Sequence, residues 1–233
     1  MDRTPEIPAP HSSRALRPRL VFALGFLAIV VIAASFLLDE TVNRLLLAST
    51  QGHWNHSPLV ALCSQYGDWP ELMVLGLLGC GVARLLGNVR WQRILLSAMI
   101  ASTLTGMAVN TVRLTSGRTR PRAMAEQGWY GPRHGERWLI GEADFNSFPS
   151  GHTGTAVGFA AVLLFSAPPW GIPAMLAALA IAISRILLGA HHPSDVVTAA
   201  TLGLVIAWIV WRFVERRRSQ SEGITDRRTP SGT

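Results

Sequence analysis

From Leu20 to Leu38 the chain runs through nineteen consecutive uncharged, mostly aliphatic residues. A helix of about 20 such residues crosses the hydrocarbon core of a bilayer. Lipid offers a spanning segment no hydrogen-bond partner outside its own helix. This run therefore dictates both the solvent and the secondary structure. It is longer than the roughly 7–15 apolar residues of a cleaved leader, so it is read as an uncleaved span. Further apolar segments follow at Leu72–Ala83, Ile94–Val112, Thr153–Ala167, Gly171–Ile183 and Val196–Val210. The expected fold class is all-α, a six-span transmembrane helical bundle over residues 20–214. In the first outer loop, "ETVNRLLLAST" and "SPLVALCSQY" have the pattern of short amphipathic helices lying at the interface. "PPW" divides the fourth and fifth spans as a tight turn.

Composition agrees. Charged residues make up 15% of the 233, against about 25% in soluble domains. The net charge of +7 comes from Arg, with no Lys in the chain. A basic chain can point to nucleic acid, but these arginines gather at the ends of apolar runs, so no nucleic-acid partner is expected. The tails at 1–19 and 215–233, read as flexible and disordered, and the loop with Arg84, Arg90 and Arg93 hold most of them. The positive-inside rule then places both termini in the cytoplasm of a chain integral to the inner membrane. Cys63 and Cys80 suit neither a disulfide framework nor a metal knuckle and are read as free thiols. The excess that topology does not explain is Arg113, Arg118, Arg120, Arg122, Arg133 and Arg137, in an outer loop.

Alternation of the spans brings three polar segments to the extracytoplasmic face: "RLTSGRTRPR" (113–122), "FPSGHTG" (148–154) and "SRILLGAHHPSDV" (184–196). The guanidinium groups of Arg113, Arg120 and Arg185 suit phosphate, whose oxygens match their planar donor forks. Ser150 is a good N-cap, Gly151 allows a ligand close to the backbone, and free amides at a helix start form an anion site beside His152. His191 and Asp195 are four residues apart, with Pro193 between them at the expected start of the last helix. Asp195 can then point back towards the His191 ring, fix its tautomer and raise its nucleophilicity. His192 has no partner at that spacing. The set reads as a phosphate-ester site with a histidine nucleophile, no metal and no cofactor.

These residues resemble the type 2 phosphatidic acid phosphatase superfamily of membrane lipid phosphate phosphatases and vanadium haloperoxidases. Its motifs, Lys-x6-Arg-Pro, Pro-Ser-Gly-His and Ser-Arg-x5-His-x3-Asp, correspond to Arg113-x6-Arg120-Pro121, Pro149-Ser150-Gly151-His152 and Ser184-Arg185-x5-His191-x3-Asp195. Arg113 departs from the usual Lys, keeping the charge on a wider fork. The resemblance implies that His191 attacks phosphorus and Asp195 holds its ring. It also implies that His152 protonates the leaving oxygen and later activates water. Arg113, Arg120, Ser150, Gly151 and Arg185 would bind the phosphate. The implied activity is hydrolysis of a phosphorylated lipid drawn from the surrounding membrane lipids, such as phosphatidate, phosphatidylglycerol phosphate, undecaprenyl diphosphate or lipid A. Transfer of the phosphoryl group to a lipid or sugar acceptor is the alternative. The loop Ala123–Asn146, with Trp129, Tyr130 and Trp138, is placed to shape the choice of lipid.

Overall fold

A computed structural model describes residues 18–55 and 57–226. Seven α-helices carry them: α1 (Pro18–Ser49), α2 (Pro58–Gln65), α3 (Trp69–Leu85), α4 (Val89–Ser116), α5 (Gly151–Ser166), α6 (Pro168–Leu187) and α7 (Pro193–Asp226). Each predicted apolar segment falls on one of the longer helices, and the class is all-α apart from a small hairpin, β1 (Arg133–His134) with β2 (Arg137–Trp138). Among the described residues, four stretches are long and apolar enough to cross a bilayer by length and composition: Arg19–Ser49, Val89–Ser116, Pro168–Leu187 and Pro193–Arg217. The other two long helices are shorter, 17 residues in α3 and 16 in α5.

α5 is the axis of the bundle, with α4, α6 and α7 packed around it. Every residue from Thr153 to Leu163 is buried. Small residues permit this, since helices in lipid associate through close backbone approach. At the α5–α7 crossing a Cβ on Gly203 would lie 2.9 Å from the Gly154 carbonyl oxygen. α1 lies at the periphery against α7. It exposes Phe22, Phe26 and Leu37, as a lipid-facing surface does.

Local chemistry sets the helix ends. Ser57 caps α2, with Pro58 following it. Asp68 Oδ1 accepts from the Trp69 amide at 2.8 Å and starts α3. α4 stops at Gly117, whose φ of 58° is left-handed. A Cβ there would lie 2.0 Å from the Gly131 oxygen, so the turn that leads into the outer loop has no room for a side chain.

Three expectations change. "ETVNRLLLAST" is not a separate interfacial helix but the end of α1. No Gly or Pro occurs in that stretch, and Asp39 just before it and Asn43 within it find partners in the segment that opens α7. Only the second predicted short helix exists, as α2. "PPW" is not a turn: its prolines open α6, where a missing amide costs nothing, and the chain reverses at Ala167. α7 continues to Asp226, through residues 215–226 that the sequence reads as disordered tail. Glu, Arg and Gln in that stretch favour helix. The flexible reading of 1–17 and 227–233 falls outside the described residues. Both cysteines are free thiols.

Candidate active site

The three predicted segments meet at one end of the bundle. The Ser150 amide donates to the Asp195 carbonyl at 3.2 Å, the Ser147 amide to the Arg118 carbonyl at 3.0 Å, and the Arg122 amide to the Gly189 carbonyl at 3.0 Å. The Ser116 hydroxyl ties the end of α4 to the Phe148 carbonyl at 2.9 Å.

His191 is 1% exposed. Its Nδ1 lies 2.6 Å from the Ser147 carbonyl oxygen. A carbonyl only accepts, so Nδ1 carries the proton and donates. Nε2 is left with its lone pair and makes no hydrogen bond among the described residues. Burial, reinforced by Arg185 and Arg120, pulls the pKa of this ring down to about 4 against the opposing pull of Asp195. The imidazole is therefore neutral at neutral pH, as a nucleophile must be.

Asp195 holds this ring differently from the expectation. Its Oδ2 stands 3.7 Å from His191 Nδ1, beyond hydrogen-bond reach. That oxygen is already occupied by the Ser147 hydroxyl and the His192 amide, the latter at 2.8 Å. Ser147 is the link, donating through Oγ to Asp195 while its carbonyl accepts from His191. Arg118 fills the other carboxylate oxygen, Nη1 to Oδ1 at 2.5 Å. Its Nη2 donates to Asp39 Oδ2 at 2.6 Å, and Nη1 also reaches Ser194 Oγ at 2.7 Å. Asp39 accepts in turn from the Ser194 amide at 2.9 Å and hydroxyl at 2.6 Å. The rings of Phe36, Trp129 and Phe148 surround the Arg118 guanidinium at 5.3, 4.7 and 6.0 Å, within cation–π range.

His192 takes the opposite tautomer. Its Nε2 lies 3.1 Å from the Thr119 carbonyl and must donate to it. Its Nδ1 then accepts from Asn43 Nδ2 at 2.9 Å. Burial and Arg118 lower its pKa as well. With both nitrogens committed, His192 is a tie between α1, the loop after α4 and the start of α7.

Arg113, Arg120 and Arg185 contrast with Arg118. Each has a buried Nε without a hydrogen-bond partner among the described residues. Arg113 Nη2 donates to Asn110 Oδ1 at 2.5 Å, and Arg185 Nη1 donates to Ser64 Oγ. Burial, then Arg122 and Arg113, pull the Arg120 guanidinium down to about 10. Buried cationic donors left open are costly, and a bound anion offsets that cost. Arg113 also borders Gly151, where a Cβ would lie 3.1 Å from Nη1. Ser150 precedes α5 but does not cap it. Its hydroxyl accepts from Thr153 Oγ1 at 3.0 Å, and no side chain bonds the first-turn amides. Those amides are left open beside Arg113, the geometry in which a helix start can take an anion.

His152 stands in the first turn of α5. Arg185, Asp68, His191 and Arg113 are close enough to act on its charge. Its Nε2 is 3.7 Å from Asp68 Oδ2. A cavity of about 290 Å³ opens here, lined by Asp68, Trp69, Met107, Asn110, Arg113 and His152 among others. The structure thus gathers every predicted site residue at one face. The sequence reading missed Asp39, Asp68, Arg118, Ser147 and Ser194. Asp39 carried a signal as a carboxylate bordering an apolar span, and Arg118 was one of the unexplained outer arginines.

The PAP2 superfamily profile matches residues 73–219. The chain belongs to the PAP2 superfamily. Relatives include a lipid A 1-phosphatase of Rhizobium etli, 30% identical over 99 residues covering 42% of this chain and 41% of that protein. Undecaprenyl-diphosphatase BcrC of Bacillus subtilis is 29% identical, over 58% of this chain and 65% of that protein. A decaprenylphosphoryl-5-phosphoribose phosphatase of Mycobacterium tuberculosis is 44% identical over 64 residues, 28% of this chain and 35% of that protein. The chain thus spans 41% and 40% of the length of the two Rhizobium lipid A 1-phosphatases it matches. The fold is shared with a transmembrane PAP2-type phosphatidylglycerolphosphate phosphatase from Bacillus subtilis, with a TM-score of 0.55 at 20% identity over 84% of this chain and 96% of that one. It is also shared with Aquifex aeolicus LpxE, with a TM-score of 0.51 at 22% identity over 75% and 95%. The PAP2 match begins within α3, so Asp39, Asn43 and Asp68 of this PAP2 protein all precede it.

Proposed function

We propose that the chain is an integral membrane lipid phosphatase that hydrolyses a lipid phosphomonoester or diphosphate through a phosphohistidine on His191. The observation that carries this reading is the His191 ring, whose Nε2 makes no hydrogen bond among the described residues and whose charge feels Arg120 and Arg185, two arginines with open buried donors. Nε2 forms a bond to phosphorus as the bond to the leaving oxygen breaks, and His152 supplies the proton that oxygen takes. Arg113, Arg120, Arg185, Ser150 and the Gly151 amide hold the equatorial oxygens where charge develops. His152, now basic, takes a proton from water, which attacks phosphorus and releases phosphate and the free His191 ring. Asp195 acts through Ser147, keeping the proton on Nδ1 throughout.

The relatives named for lipid A, undecaprenyl diphosphate and decaprenylphosphoryl-5-phosphoribose support a phosphorylated amphiphile as substrate. In this reading α1 and α3 to α7 each cross the inner membrane and residues 20–214 form the phosphatase domain. The even number puts both termini on one side, and the arginine distribution makes that side cytoplasmic. The site then faces the extracytoplasmic space. The test is phosphate release in detergent from phosphatidate, phosphatidylglycerol phosphate, undecaprenyl diphosphate and lipid A, with His191→Ala as control. Release from at least one, absent in the control, is expected. Equal release by the control would contradict the reading.

A further inference from the structure

Asp68 is an anomaly in a site built for an anion. It presents a carboxylate to the same groups that receive the phosphate, acting electrostatically on Arg113, His152 and Arg185. The helix cap accounts for only half of it. Oδ1 accepts from the Trp69 amide, while Oδ2 makes no hydrogen bond among the described residues and faces His152 Nε2 at 3.7 Å. Asp68 and His152 line the same cavity of about 290 Å³, with Asn110 and Thr103 as polar neighbours and Trp69 and Met107 as apolar ones.

Charge is spread unevenly over the site. Arg122 adds its charge beside Arg120 and Arg185. Asp68 sets a carboxylate beside His152, Arg113 and Arg185. The acid that protonates the leaving oxygen must sit on the leaving-group side, so the His152 flank is where the departing lipid lies. A diphosphate would place a second phosphate there, against a carboxylate. A phosphomonoester places an uncharged alcohol or sugar carbon there.

We propose that Asp68 is a specificity-determining residue that directs the site to lipid phosphomonoesters and disfavours lipid diphosphates by charge repulsion across the leaving-group cavity. This rests on the phosphatase reading above, with His152 as the acid. Rejection of a substrate by a like charge is a recognised route to specificity. Asp68 precedes residues 73–219, the part matched to the superfamily, so this discrimination belongs to the part of the chain outside that match.

The test compares phosphate release from phosphatidate and from diacylglycerol diphosphate with identical acyl chains, in the full-length protein. The wild type is expected to favour the monoester. Asp68→Asn and Asp68→Ser both keep a good N-cap for α3 while removing the charge. Each is expected to raise the diphosphate-to-monoester ratio of kcat/KM by roughly tenfold. Asp68→Glu keeps the charge, weakens the cap, and is expected to retain the wild-type preference. A wild type that favours the diphosphate overturns the proposal, as does an unchanged ratio in both neutral variants. A ratio that follows cap strength rather than charge overturns it too. Absence of release from either lipid, together with failure of the wider lipid screen, would instead strike the phosphatase reading itself.

Discussion

Arg118 and Arg120 lie two residues apart on one loop and serve different ends. Arg118 spends its donors on Asp195, Asp39 and Ser194 and is closed in by three aromatic rings. Arg120 keeps a buried Nε without a partner and lies among other positive charges. The same contrast separates the floor of the site from its rim. On the floor, Asp39, Arg118, Ser147, Ser194 and Asp195 satisfy one another. On the rim, Arg113, Arg120 and Arg185 have donors to spare. Charge alone does not distinguish structure from binding here; the fate of each donor does.

Removing a rim donor should therefore cost activity and not stability. Arg120→Ala is expected to lower kcat/KM by about 10²–10³-fold, as loss of a transition-state donor does. Thermal unfolding in detergent should show its melting temperature unchanged or raised. Removing the floor arginine should do the reverse in emphasis. Arg118→Gln leaves two buried carboxylates short of a partner, at a cost of about 3–5 kcal/mol, read as a lower midpoint of unfolding. An equal loss of stability in both variants would dissolve the comparison.

Acid sharpens it next. The folded His191 ring takes a proton only near pH 4, whereas an ordinary ring takes one near 6.5. The unfolded chain thus binds more protons in that interval, and stability is full above 6.5 and falls as the pH drops from 6.5 towards 4. His192, also lowered by burial, adds in the same direction. Melting temperature measured across this window should fall less steeply in His191→Asn. The His191 ring is still neutral at pH 6, so its titration should not limit kcat/KM there. The smallest effect is expected for His192→Asn, which trims the tie to Asn43 and Thr119. It should retain activity within roughly tenfold, since both ring nitrogens of His192 are engaged by Asn43 and Thr119. Loss comparable to His191→Ala would reverse the assignment of the two rings.

The sequence was most legible where chemistry is local. Apolar runs of span length marked the helices, and Pro193 marked the start of α7. The spacing of His191 to Asp195 brought carboxylate and ring to within 3.7 Å. What it hid was non-local. Ser147 inserts itself between Asp195 and His191 from a loop 44 residues upstream of the ring. The bond from Arg118 to Asp39 spans 79 residues and depends on α1 running unbroken past Leu38. A reading that ended the first span at Leu38 made Asp39 a loop residue and removed the partner that explains Arg118. Asp68 was hidden for a similar reason, since a helix cap has no visible orientation until α3 is set against α5.

The central claim is that Nε2 of His191 becomes phosphorylated during turnover. Rapid alkaline quenching of the enzyme during hydrolysis of phosphatidate labelled at its phosphate, followed by peptide mapping, tests it directly. The account predicts an acid-labile, alkali-stable label on His191, absent in His191→Ala. Label on His192 or His152, or steady turnover with no labelled protein at any time, would contradict it.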